Sequence, residues 1–186
     1  GCTHPNASNY DETADIDDGS CEFETVQIGH QVWMTENLKA THYRNGDEIT
    51  SLMINGSPDD YGYLYEWNDV IEVQYELGLC PEGWHVPTKE DYFVLFDSIG
   101  GSDGSQMKSV GFGDDATNES GFSALPGGRR NYWGDFVEMG ESAWFWTSSP
   151  RFFNNDAWYI ALFENSTGSD VDSNWRDEYH SIRCVE

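Results

Sequence analysis

The chain has few bases and no long apolar run. Among its 186 residues, nine are Lys or Arg and 34 are Asp or Glu, which gives a formal net charge of −25 at pH 7. A surface this acidic repels phosphate backbones and anionic membranes, so we do not expect nucleic acid as a partner. No segment approaches the roughly 18–20 apolar residues that a membrane span needs, so we expect no membrane insertion.

The common signatures of enzymes are also missing. The sequence contains no His-Glu-x-x-His helix, no Gly-x-Ser-x-Gly turn and no Gly-rich phosphate loop with a Lys. Asp and Glu are so abundant that choosing any pair as acid and base would be arbitrary. We therefore predict that the protein is not an enzyme.

Cysteine is scarce, but its even number suits cross-linking by disulfides. The four cysteines, Cys2, Cys21, Cys80 and Cys184, form no Cys-x-x-Cys pair, and neither their spacing nor the positions of His suit zinc. The chain begins at Gly1 rather than Met, so we expect a processed, exported protein whose location is extracellular or at the cell surface. An even cysteine count then predicts two disulfides, and proximity favours Cys2–Cys21, which leaves Cys80–Cys184.

Residues 1–22 are acidic and nearly devoid of apolar side chains, so they cannot build a core of their own. Hard oxygen ligands at close spacing, with Gly19 permitting a sharp turn, are typical of calcium sites. The predicted ligands are Asn9, Asp11, Asp15, Asp17 and Asp18. We expect this segment to be a Cys-bounded, calcium-binding module, with calcium as the cofactor. The alternative is a solvated acidic leader. The segment also resembles a short Cys-bounded acidic module of exported bacterial proteins.

One central stretch, residues 79–91, leads into the best-defined predicted helix. Thr88 is a good N-cap, Asp91 completes a capping-box pattern, and Gly100-Gly101 ends the helix. Apolar side chains then follow with the spacing of one helix face. These side chains are Tyr92, Leu95, Phe96 and Ile99. The sequence therefore predicts a helix that packs one stripe into a core.

Other segments predict strands and loops. A β-hairpin is expected around Gly29-His30, and further strands at residues 145–149, 158–163 and 181–185. Residues 100–121 are glycine-rich and acidic, which predicts a long surface loop. The stretch from residue 164 to 178 is polar and is expected to connect two strands.

Several motifs follow one another in an order that marks a family. The first is Gln31-Val32-Trp33-Met34-Thr35-Glu36-Asn37-Leu38, followed by Gly62-Tyr63-Leu64-Tyr65-Glu66-Trp67, the central stretch, Trp146-Thr147-Ser148-Ser149 and Ala157-Trp158-Tyr159. Together they resemble the Fibrobacter succinogenes major paralogous domain family of exported bacterial proteins over residues 24–186. The resemblance implies an α+β, C-type-lectin-like domain at residues 23–186, with a small twisted antiparallel sheet, one or two helices and long irregular loops. That fold is shared with formylglycine-generating enzymes.

Two late loops place aromatics among amides and acids, where flat rings can stack on sugars and polar groups can bind hydroxyls. The predicted ligand-binding residues are Phe152, Asn154, Asn155 and Asp156 in the first loop, and Asn174, Trp175 and Asp177 in the second. The fold class implied by the resemblance usually recognises partners in this region. We expect a binding or adhesion module for a carbohydrate or protein ligand. One alternative is a structural subunit that contacts copies of itself in an extracellular fibre. Another is a formylglycine-generating-type oxidase, which needs free thiols that bind copper.

Overall fold

A computed structural model describes residues 1–15, 20–72, 78–151 and 155–186. The strands are β1 (Thr25–Ile28), β2 (Gln31–Met34), β3 (Tyr65–Glu66), β4 (Arg129–Arg130), β5 (Phe136–Val137), β6 (Ser142–Pro150), β7 (Asp156–Phe163), β8 (Ser169–Trp175) and β9 (Tyr179–His180). The helices are α1 (Pro58–Tyr61), α2 (Trp67–Glu72) and α3 (Lys89–Ser98), and Gly104–Gln106 forms a 3-10 turn. The architecture is α+β, with mostly antiparallel strands and few helices. None of the helices in this part of the chain is long and apolar enough to cross a bilayer.

The strands form three antiparallel sheets in the described ranges. Their orders are β1-β2, β3-β9-β4-β5 and β6-β7-β8. The first sheet is the hairpin predicted around Gly29-His30, and its turn uses Gly29 at a φ of 62°. That backbone conformation is open to glycine at little steric cost. The hairpin prediction is therefore confirmed.

Helix α3 begins and ends where the sequence predicts. The Thr88 side chain accepts a hydrogen bond from the Asp91 backbone N–H, and the Asp91 carboxylate accepts one from the Thr88 N–H. This reciprocal pair satisfies two backbone donors that a helix start leaves without a partner. Burial raises the pKa of Asp91, but hydrogen bonds from His85 and Thr88 outweigh it and lower that pKa to about 2. Tyr92, Leu95 and Phe96 of the predicted stripe are buried.

Strands β6 and β7 separate two hydrophobic clusters. Phe145 and Ile160 point into one cluster, which also holds the buried face of α3. Trp146 points the opposite way, into a cluster with Trp67. Since adjacent strand residues face opposite sides, a strand buried on both faces must be apolar almost throughout. This explains the run of aromatics in β6.

Both predicted disulfides are present. Cys2 bonds to Cys21 and Cys80 to Cys184, and the described residues contain no free thiol. The second bond lies in the Trp67–Trp146 cluster and closes a loop with a sequence separation of 104. It joins the central stretch to the C-terminal segment, which pairs with β2 through a backbone bond from Met34 to Cys184.

Three predictions about secondary structure need correction. Residues 100–121 are not only surface loop, because Met107 and Phe112 are buried in the core and the fully buried Lys108 binds the carbonyls of Phe163 and Ser166. The polar stretch between residues 164 and 178 contains β8, an edge strand whose alternation leaves its acids exposed. Residues 181–185 form single bridges rather than one strand, because their partners change along the segment.

Candidate functional site

Three aromatic side chains from two separate loops meet on the protein surface. Tyr132 and Trp133 lie in the turn between β4 and β5, and Trp175 ends β8. The ring centroid of Tyr132 is 3.7 Å from that of Trp133 and 4.6 Å from that of Trp175. Their exposed fractions are 39% for Tyr132, 71% for Trp133 and 50% for Trp175. We call these three residues the aromatic platform. Clustered exposed apolar rings mark interaction surfaces more often than isolated ones do.

The turn that carries Tyr132 and Trp133 is held by Asn131. The Asn131 backbone N–H donates to the Asp135 carbonyl at 2.9 Å, and its side-chain Oδ1 accepts from the Asp135 N–H at 2.9 Å. Asn131 is itself buried, and Gly134 takes a φ of 94°. A closed turn of this kind loses little further entropy when a ligand binds.

A buried carboxylate joins the two loops beneath the platform. Glu178 accepts hydrogen bonds from the Arg129 guanidinium at 2.6 Å, the Asn174 amide at 2.7 Å and the His180 imidazole at 3.1 Å. Arg129 belongs to β4, at the base of the Tyr132–Trp133 turn, and Asn174 precedes Trp175. Arg129 also pairs with Glu138 at 3.4 Å. The network therefore sets the position of one loop relative to the other.

Burial and partners determine the charge states in this network. Burial alone would raise the pKa of Glu178, but hydrogen bonds from His180 and Arg129 outweigh it and hold that pKa below its usual range. Burial lowers the pKa of His180 to about 4, against the opposing effect of Glu178. The imidazole is thus neutral at pH 7, donates through Nε2 to Glu178 and stacks on Trp146 with ring centroids 3.8 Å apart.

The second predicted ligand loop contributes directly to the platform. Trp175 is half-exposed, and Asp177, two positions later in the chain, is exposed. The Asn174 side chain is instead used internally, because its Nδ2 donates to Glu178 and its Oδ1 accepts from the Trp175 N–H at 2.9 Å. Asn174 therefore positions the loop.

The first predicted ligand loop is described only in part. Asn155 is exposed with a φ of 58°, whereas Asp156 is 7% exposed and its Oδ1 is buried without a hydrogen-bond partner. Asp156 pairs with Trp175 across β7 and β8, so both predicted loops converge at this end of the sheet. Phe152 and Asn154 lie outside the described residues.

Sequence reasoning missed Tyr132 and Trp133, the second of which is the most exposed ring of the platform. A signal was available, because two adjacent aromatics between Asn131 and Gly134 sit in a polar turn where packing does not require them. Their approach to Trp175, about forty positions later in the chain, could not be inferred from local pattern.

The predicted calcium ligands lie in the N-terminal segment. Asn9 donates to the Ser20 carbonyl at 2.6 Å and accepts from the Glu22 N–H at 2.9 Å, which ties the two halves of the segment together. A hydrogen bond from the Thr13 hydroxyl lowers the pKa of Asp11, and Asp15 is exposed.

Asp17 and Asp18 fall outside the described residues. Over the remaining ranges, no group of three His, Cys, Asp or Glu side chains is arranged to hold a metal. The calcium site therefore stays a prediction.

The fold defines a small, disulfide-linked α+β domain with an exposed aromatic surface on its late loops. The family model of the Fibrobacter succinogenes major domain matches residues 26–186, and the chain belongs to this family. No curated protein and no solved structure matches the chain. The family description names no activity.

Proposed function

We propose that this protein is an exported binding module that recognises carbohydrate through the aromatic platform. One observation carries the proposal: Tyr132, Trp133 and Trp175 converge from two loops and remain exposed. The ring surfaces of the platform that remain exposed to solvent are flat and apolar, and such surfaces suit the C–H faces of sugar rings. Exposing a Trp to water at 71% is hard to explain by packing.

The surroundings favour a neutral sugar polymer over an anionic one. The chain carries a formal charge of −25, and Asp135 and Asp177 are exposed, each two positions along the chain from a platform Trp. An anionic polysaccharide would be repelled at this surface, whereas neutral hydroxyls can donate hydrogen bonds to the carboxylates.

The domain is proposed to have a C-type-lectin-like fold. The support is the arrangement of its ends: β2 pairs with the C-terminal segment, and the Cys80–Cys184 bond joins that segment to the central stretch. Two disulfides also support export, since such bonds persist in oxidising compartments.

Two alternatives are less well supported. A fibre subunit would have to bring together surfaces with a formal charge of −25 each, which opposes self-association at low salt. Sedimentation velocity tests it, since a monomer at high concentration would contradict the fibre model. An oxidase would need free thiols, and all four cysteines are in disulfides.

The proposal is tested by affinity electrophoresis in gels that contain neutral polysaccharides, such as soluble β-glucan, α-glucan, xylan and mannan. At least one polymer should retard the protein. Trp133→Ala and Trp175→Ala should each weaken that binding roughly tenfold, which corresponds to about 1.4 kcal/mol. The matched control is Phe93→Ala, because Phe93 is 43% exposed but belongs to α3 and contacts Phe96. Equal loss in all three variants, or no retardation by any polymer, would reject the proposal.

A further inference from the structure

A large cleft separates the N-terminal segment from the body of the domain. Its volume is about 970 Å³, within the range of ligand sites. Tyr10 lines it from the N-terminal segment, and Tyr43 and Trp84 line it from the body. We call it the N-terminal cleft. It lies among residues that the aromatic platform does not use.

The two walls of the N-terminal cleft are fixed relative to each other by one amide. The Asn6 side chain donates through Nδ2 to the Asn37 carbonyl at 2.8 Å and accepts through Oδ1 from the Lys39 N–H at 2.6 Å. Asn6 is 8% exposed. Because both ends of the amide are used, the N-terminal segment is held in place and the cleft is formed before any ligand arrives.

Negative charge dominates the cleft lining. Among the described lining residues, Arg44 is the only Lys or Arg. The space beside Gly78 is occupied by the Arg44 guanidinium, so this cation lies against the backbone of Gly78. Five carboxylates line the same cleft: Asp11, Glu12, Asp15, Glu82 and Glu186.

Aromatic rings complete the lining. Phe23 and Trp84 meet edge to face with centroids 5.9 Å apart, and Tyr10 is 46% exposed. Ring faces attract ammonium and guanidinium groups, and their apolar surface covers the alkyl stem of Lys or Arg. Carboxylates beside aromatic rings therefore fit a basic side chain better than a neutral or acidic one.

We propose that the N-terminal cleft binds a basic, extended peptide segment of a partner protein, with Lys or Arg side chains between the rings and the carboxylates. Charge complementarity carries the choice of occupant. A second copy of this chain is a poor occupant, because it offers nine bases against 34 acids. The proposal concerns a different surface from the carbohydrate proposal and does not depend on it.

The test is an NMR titration of the ¹⁵N-labelled full chain with a capped Gly-Lys-Gly-Arg-Gly peptide, in EDTA and at about 0.15 M salt. At that ionic strength, exposed charges more than about 8 Å apart are largely screened. Saturable shifts are expected at Tyr10, Tyr43 and the Trp84 indole. The same peptide with Gln in place of Lys and Arg should not bind. Binding of the Gln peptide, or shifts spread over the whole surface, would overturn the proposal.

Matched variants separate a specific site from the diffuse negative field. Glu12→Gln with Glu82→Gln should weaken peptide binding about five- to tenfold, the effect of losing two exposed ion pairs. Glu119→Gln with Glu141→Gln changes the net charge equally at exposed positions outside the cleft, and should change binding less than twofold. Equal effects of the two pairs would overturn the proposal.

An aromatic variant tests the cleft without changing charge. Tyr10→Ala should weaken binding about threefold or more, as expected for one exposed cation–π contact. Phe93→Ala, at a similarly exposed ring on α3, should not. Because Tyr10, Glu12 and Glu82 are all exposed, these variants should fold, and an unchanged thermal midpoint verifies it. Full binding by Tyr10→Ala would overturn the role of the rings.

Discussion

Replacing His180 by Gln should make the protein less sensitive to acid between pH 7 and pH 5. His180 is fully buried, and burial lowers its pKa to about 4, from 6.5 in a solvated chain. Between these two values the unfolded state binds more protons than the folded state, so stability falls as pH falls. Linkage over this window gives a loss of about 2 kcal/mol from pH 7 to pH 5, since each pKa unit corresponds to about 1.4 kcal/mol.

The groups around His180 set the design of the experiment. Glu178 accepts its Nε2–H, Trp146 stacks on the ring, Trp144 and Tyr159 pack around it, and Arg129 lies next in the network. Gln can still donate to Glu178 but does not titrate. Losing the ring stacking on Trp146 should lower the stability of the variant at every pH. The informative quantity is therefore the slope of the unfolding free energy against pH.

Urea unfolding followed by Trp fluorescence at pH 7, 6 and 5 measures that slope. The wild type should lose about 2 kcal/mol more than His180→Gln over this range. His30→Gln, at the exposed turn between β1 and β2, should keep the wild-type slope. Identical slopes for wild type and His180→Gln would refute the reasoning. A steeper slope in the variant would show that His180 is protonated in the folded state.

Three further predictions concern the cross-links, the N-terminal segment and calcium. Replacing Cys80 and Cys184 by Ser should destabilise the fold by about 4–5 kcal/mol, because the bond closes a loop of about 100 residues, measured by urea unfolding. Asn6→Ala leaves the Asn37 carbonyl and the Lys39 N–H without their partner, which should cost about 1–3 kcal/mol locally and speed hydrogen exchange at Lys39. If residues 1–22 bind calcium, EDTA should lower the melting temperature and added calcium should restore it.

Each of these predictions has an outcome that contradicts it. A Cys80→Ser, Cys184→Ser protein as stable as the wild type would mean that the unfolded chain is already compact. Unchanged hydrogen exchange at Lys39 would show that Asn6 does not hold the N-terminal segment. A melting temperature indifferent to EDTA would leave the acidic residues as a solubility feature without a calcium site.

Local signals account for the parts that sequence analysis predicted well. The N-terminus of α3 depends on Thr88 and Asp91, three positions apart, and the hairpin on a turn at Gly29. Hydrogen bonds of this kind span only a few residues, so their partners can be read from neighbouring positions.

Failures came where a residue's environment depends on distant chain. Residues 100–121 look like solvent-exposed loop, but Lys108 is fully buried because Asp115 and the carbonyls of Phe163 and Ser166 satisfy all its donors. Strand β8 was missed because its exposed acids make the segment look like a polar connection. The segment becomes a regular edge strand only through its pairing with β7.

The sequence by itself determined the family, the disulfide pairing, the central helix and the acidic character of the surface, since each rests on composition, short spacing or an ordered set of motifs. Only the tertiary structure decided that Trp175 joins Tyr132 and Trp133, and that Tyr10 and Trp84 line the same cleft. These contacts join positions tens of residues apart through sheet pairing, the Glu178 network and the Asn6 amide. Surfaces assembled in this way leave no local sequence pattern, because their residues are far apart in the chain. The segments between those residues build the core.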